Sequence, residues 1–109
     1  MSTKPIKKSI YQIQMAALLK KEGYNFVEEF KFHPDRKWRF DFVLEPVKTK
    51  IAIEVNGGVW IRGKHTFGTS YEKDLEKINT AQLMGWMILQ YTPDTLPNVI
   101  QDLKKLKKH

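Results

Sequence analysis

The sequence predicts an α/β domain, with a mixed central sheet of about four strands flanked by helices in the order α-β-β-β-α-β-α. Three observations carry this. Stretches around Phe26, Trp38 and Lys50 alternate apolar and polar residues as strands do, while stretches after Ser9, Tyr71 and Leu96 repeat apolar residues at helical spacing. Gly23, Pro34, Pro46, Gly85 and Pro93 punctuate them where one element should yield to the next. At 109 residues the chain is the size of one core, so residues 1–109 are expected to form a single domain.

Each element has its own warrant. From Ser9 to Glu22, Ile10, Ile13, Ala17 and Leu18 recur near helical spacing, and Lys20, Lys21 and Glu22 precede a stop at Gly23. Phe26, Phe30 and Phe32 mark a strand with Val27, Glu29 and Lys31 at alternate positions, and His33-Pro34-Asp35 turns it into a hairpin. From Trp38 to Leu44, strict alternation puts Trp38, Phe40, Phe42 and Leu44 on one face and Arg39, Asp41 and Val43 on the other. Glu45-Pro46 breaks this strand. From Lys50 to Asn56, Ile51, Ile53 and Val55 share one face and Ala52, Glu54 and Asn56 the other, so Asp41 and Glu54 can lie on one side of a sheet.

Gly57 to Ser70 reads as a long glycine-rich loop. Thr69 or Ser70 can cap the next helix, whose inner side is expected to carry Tyr71, Asp74, Leu75, Ile78, Ala81 and Gln82, with Lys77 at its margin. Gly85 ends it. Trp86 to Tyr91 is apolar enough for a strand buried on both faces, and Leu96 to Leu106 is a last amphipathic helix. The basic ends, residues 1–8 and 104–109, are expected to fray.

Composition narrows the function. Nineteen Lys and Arg against twelve Asp and Glu give a net charge of +7, which favours a polyanionic partner, nucleic acid first. The absence of cysteine excludes disulfides, thiol nucleophiles and cysteine-based zinc sites. No apolar run reaches the length of a membrane span and the first residues lack a secretion signal, so a soluble, cytoplasmic protein without membrane contact is expected.

Hydrolysis of a phosphodiester needs an activated water and neutralisation of the charge that builds on the phosphate, both of which a hard divalent cation supplies. Asp41 and Glu54 offer the oxygen ligands that Mg²⁺ or Mn²⁺ takes, and the backbone carbonyl of Val55 can add one where strand pairing lapses. A positive group should stand beside them. Asn56 lies on the right face but is uncharged, so Lys77 is the candidate catalytic amine, with Asp74 and Asn56 supporting the site. His65 can transfer a proton or touch phosphate, Trp60 can stack on a base, and Arg36, Lys37, Arg39, Arg62 and Lys64 can contact the backbone.

These residues resemble the PD-(D/E)XK, or restriction-endonuclease-like, nucleases, and more narrowly the small phage and prophage members related to very-short-patch-repair endonucleases. The resemblance covers residues 30–92 and rests on Trp38-Arg39-Phe40-Asp41-Phe42, Glu54-Val55-Asn56-Gly57-Gly58-Val59-Trp60, Gly63-Lys64-His65, Tyr71 with Asp74, Glu76-Lys77, Asn79 and Gly85-Trp86. It implies Asp41 and Glu54 as metal ligands and a catalytic lysine. The chain departs from the simplest pattern in having Asn56 where that lysine would stand, and Gln12 or Gln14 where the first helix often carries a Glu.

The sequence is therefore read as a metal-dependent DNA endonuclease, structure-specific in phage DNA recombination or processing, with DNA as partner, a homodimer for two-strand cleavage and no small-molecule cofactor. Two alternatives stand beside it: a Holliday-junction-type resolvase, and a catalytically silent nucleic-acid-binding module on the same fold.

Overall fold

The computed structural model describes residues 9–56, 60, 61, 64, 65 and 69–106. Helix α1 (Ile10–Lys21) starts where the Ser9 hydroxyl accepts the Gln12 amide at 3.1 Å, satisfying one of the N–H groups a helix start leaves over. It stops at Gly23, whose φ of +84° is a conformation that glycine takes at little cost. Strands β1 (Phe26–Lys31) and β2 (Arg39–Leu44) form the expected hairpin, and β3 (Ile51–Val55) adds antiparallel to β2. A separate pair, β4 (Trp60–Ile61) and β5 (Lys64–His65), follows. Helix α2 (Thr69–Leu83) then crosses to β6 (Met87–Tyr91), parallel to β3, and a 3₁₀ turn leads into α3 (Val99–Leu106).

The main sheet runs in the order β1-β2-β3-β6, a mixed four-stranded sheet in an α/β arrangement, as predicted. Apolar residues fill both of its faces. On one, Met15 and Leu19 of α1 and Val99 and Leu103 of α3 pack on Phe42, Leu44, Ile53 and Tyr91. On the other, Ala81 of α2 packs with Phe32, Phe40, Val43, Ala52 and Trp86.

The structure corrects several expectations. α1 does not bury Ile10 and Ile13, which stay 62% and 56% exposed; it buries Gln12, Met15 and Leu19. Burying Gln12 costs little because its amide finds a carboxylate partner, described below. Gly57 to Ser70 is not all loop, since the β4–β5 pair lies within it, and α2 already includes Thr69 and Ser70, the residues expected to cap it. On α2 Ala81 is buried and Lys77 and Ile78 are half-buried, with Asp74, Leu75 and Gln82 exposed. β6 is an edge strand rather than a central one, leaving Met87 46% exposed and Gln90 in solvent.

The strict alternation expected of β2 also fails at its centre. Phe42 and Leu44 lie on the α1 and α3 face, whereas Phe40 lies with Val43 on the α2 face. Opposite this switch, Glu29 has φ +53°, a left-handed conformation uncommon for a side-chain-bearing residue. Pairing resumes on either side, Glu28 with Phe42 and Phe30 with Phe40, so no residue is inserted and only the faces change. Each face thereby gains an aromatic pair: Phe26 meets Phe42 edge-on at 5.3 Å, and Phe32 stacks on Phe40 at 4.2 Å.

Because Phe42 is fully buried, Phe42→Ala should cost about 3–5 kcal/mol of unfolding free energy. Denaturant melts of parent and variant check this, and the same change at the half-exposed Val27 should cost far less.

Candidate active site

The switch in β2 places two carboxylates at a gap in the sheet. The β2–β3 pairing runs through Val43 with Ala52 and Phe42 with Ile53, and at the next step side chains replace backbone partners. The Asp41 amide donates to Glu54 Oε2 at 2.8 Å, while the Val55 amide donates to Asp41 Oδ2 at 2.8 Å. Each carboxylate satisfies an N–H of the other's strand, as a ladder carbonyl would, so neither amide is left unpaired where water is scarce. Lys77 Nζ donates to Glu54 Oε1 at 2.5 Å and stands 5.4 Å from the Phe40 ring centre. The Lys77 and Glu54 side chains are only 15% and 11% exposed, so their pairing is screened far less than a surface pair.

These contacts bring Asp41, Glu54, Val55 and Lys77 together as one group. Burial, then the neighbouring charge of Glu54, pushes the Asp41 carboxyl up from 3.8 to about 6, with the Val55 hydrogen bond opposing. Glu29 also raises it through space, and its own Oε2 accepts Gln12 Nε2 at 2.8 Å. Glu29 was missed in the sequence because regular alternation made it one surface acid among several; only its backbone turn carries it to the site.

The other candidates are dispersed. Asn56 Nδ2 donates to Gln90 Oε1 on β6 at 3.0 Å rather than to either carboxylate. Asn56 and the exposed Asp74 line a cleft of about 260 Å³ with Glu54, Lys77, Leu75, Ile78 and Gln90, which opens at the carboxyl ends of the parallel strands β3 and β6. Open α/β sheets bind ligands at such ends. Arg36, expected on phosphate, forks onto Glu76 of α2 at 3.2 and 3.3 Å and lies 3.9 Å above the Trp38 ring. Lys37 and Arg39 are exposed. Trp60 and His65 are paired positions of the β4–β5 ladder, as are Ile61 and Lys64. Arg62, the glycines at 57, 58, 63 and 68, and residues 1–8 and 107–109 lie outside the described residues.

Because Asp41 is more easily protonated folded than unfolded, the folded chain holds the extra proton between about pH 4 and pH 6. Stability therefore falls as pH rises through that window, and the full penalty is present above it. Asp41→Asn, which keeps the acceptor for Val55 without the charge, should melt higher than the parent at pH 7.5 in chelator, with the difference vanishing near pH 4. One pKa unit is worth about 1.4 kcal/mol, and solvent screens part of this half-buried group, so the gain is on the order of 1–2 kcal/mol. Thermal melts across pH check it.

No family model and no curated protein matches the chain. Among solved structures, the catalytic domain of the homing endonuclease I-Bth0305I superposes with a TM-score of 0.63 over 93% of this chain and 93% of that domain, at 20% sequence identity. The chain has a nuclease-like fold.

Proposed function

We propose that this protein is a divalent-cation-dependent DNA endonuclease of the PD-(D/E)XK type, hydrolysing phosphodiester bonds at Asp41, Glu54 and Lys77. The observation that carries the proposal is the convergence of two carboxylates and one amine at the gap between β2 and β3. The fold shared with an endonuclease catalytic domain and the net charge of +7 support it.

The donor set fits a hard cation. Both groups offer carboxylate oxygens, and burial together with the nearby charge of Glu54 raises the Asp41 carboxyl. Two carboxylates suit Mg²⁺ or Mn²⁺, ions that accept one or two carboxylates and fill their shells with water and phosphate oxygens. Asp41 and Glu54 would hold it, with the Val55 carbonyl as a further ligand, and when bound it would supply charge neutralisation at phosphorus and a more acidic water.

The chain's own residues supply the rest. Lys77 holds a positive charge at the carboxylates, where charge builds on the phosphate during attack, and Glu54 fixes its direction. The Phe40 ring beneath keeps water from one side of the amine. Lys37 and Arg39, exposed on the hairpin and on β2, extend positive charge along the same strand for the DNA backbone.

Cleavage of linear, nicked, flap and four-way DNA, each with Mg²⁺, Mn²⁺ or chelator, tests the proposal. The parent should cut at least one of these with metal and none with chelator; Asp41→Asn should be inactive, and Lys77→Ala slower by about 10²–10³. Full activity of Asp41→Asn would overturn the assignment. DNA affinity measured in chelator should also fall steeply with salt, with a slope of about −0.9 in log K against log salt for each phosphate neutralised.

A further inference from the structure

The cleft beside Lys77 contains chemistry that phosphodiester hydrolysis does not use. Its edge carries two amides, Asn56 at the end of β3 and Gln90 on β6, joined by the bond from Asn56 Nδ2 to Gln90 Oε1. An amide side chain has one acceptor oxygen and two donor hydrogens. This bond uses one of the two Asn56 donors and one lone pair of the Gln90 oxygen, and orients the pair. The Asn56 Oδ1 acceptor and the Gln90 Nε2 donor have no side-chain or backbone partner among the described residues, so donors and acceptors both remain at this edge.

Across the cleft, α2 supplies Leu75 and Ile78. Leu75 is 45% exposed, an apolar side chain left at the rim of a polar site. Apolar side chains facing amide donors and acceptors suit a flat heteroaromatic ring, and Asp74, Glu54 and Lys77 form the charged part of the lining. About 260 Å³ is room enough for one ring system. Glu54 and Lys77 line the same cleft, so a ring seated there has its sugar-phosphate close to the proposed reacting centre.

We propose that this cleft binds a single unpaired nucleobase, packed against Leu75 and Ile78 and read by Asn56 and Gln90; the proposal rests on the reading of the chain as a DNA-cleaving enzyme. Adenine, whose N6 donor and N7 acceptor are adjacent, is one base that such a pair of amides can read by its edge. Proteins read unpaired bases in this way, by their edges and faces together.

Two fluorescent DNA hairpins, one with a single unpaired adenine and the other with an abasic site at the same position, test this by anisotropy in chelator. The parent should bind the adenine hairpin about ten-fold more tightly, the discrimination expected of one bidentate contact. Gln90→Ala, at an exposed edge-strand position, should erase the difference while leaving affinity for the abasic hairpin unchanged. Equal affinity of the parent for the two hairpins would overturn the pocket, and a preference that survives in Gln90→Ala would overturn its assignment to the amide pair. Base preference in chelator without cleavage of any DNA under Mg²⁺ or Mn²⁺ would remove the nuclease reading and keep the pocket; cleavage without base preference would do the reverse.

Discussion

Between β2 and β3, Asp41 and Glu54 each accept an amide from the other's strand, and the geometry of the whole site follows from that exchange. A regular antiparallel ladder would have given those amides to carbonyls and sent both carboxylates out from the sheet. Here the carboxylates lie against the backbone, each fixed by a hydrogen bond from an amide of the opposite strand. The cost is electrostatic: two acids share a half-buried gap, and Asp41 is the one whose ionisation is resisted. Lys77 offsets part of that cost by pairing with Glu54.

The gap in turn depends on the face switch along the hairpin. Phe40 and Phe42 would share a face in a regular strand; instead they anchor opposite cores, and Asp41 between them is free to lie towards β3. Glu29 absorbs the complementary turn in β1 with its left-handed backbone, and Gln12 holds its carboxylate from α1. Strained backbone persists where surrounding packing over-determines it, and both hydrophobic clusters grip the hairpin on either side of this point. The aromatic cores and the acidic site are therefore one construction, in which moving Phe42 to the other face would also move Asp41.

Helix α2 joins the site to the rest of the fold at its C-terminal end and near its middle. Lys50, at the start of β3, donates its amine to the Met84 carbonyl at 2.8 Å and so caps the helix end. Nearer the site, Arg36 of the hairpin tip grips Glu76, the residue before Lys77, and holds that carboxyl below its usual range. An exposed pair of this kind adds little stability, yet it ties the turn of one element to the helix that carries the amine. Arg36 is thus part of the scaffold, although its sequence position among basic residues suggested a phosphate contact.

Local patterns in the sequence determined the order of the main-sheet strands and helices and the stops at Gly23 and Gly85, because turns and strand runs are decided by neighbouring residues, and they put Asp41, Glu54 and Lys77 forward as candidates. Tertiary structure decided which faces are buried and how the site is built. α1 chose Gln12, Met15 and Leu19 over Ile10 and Ile13 because a partner for Gln12 stood across the interface on β1, 17 residues along the chain in no pattern the helix could show. Lys77 turned inward for the same reason, drawn by a carboxylate 23 residues away. Alternation placed Asp41 and Glu54 on one side of a regular sheet; the left-handed turn at Glu29 and the open ladder brought them into contact, and those arise from packing two cores at once, which no single strand encodes.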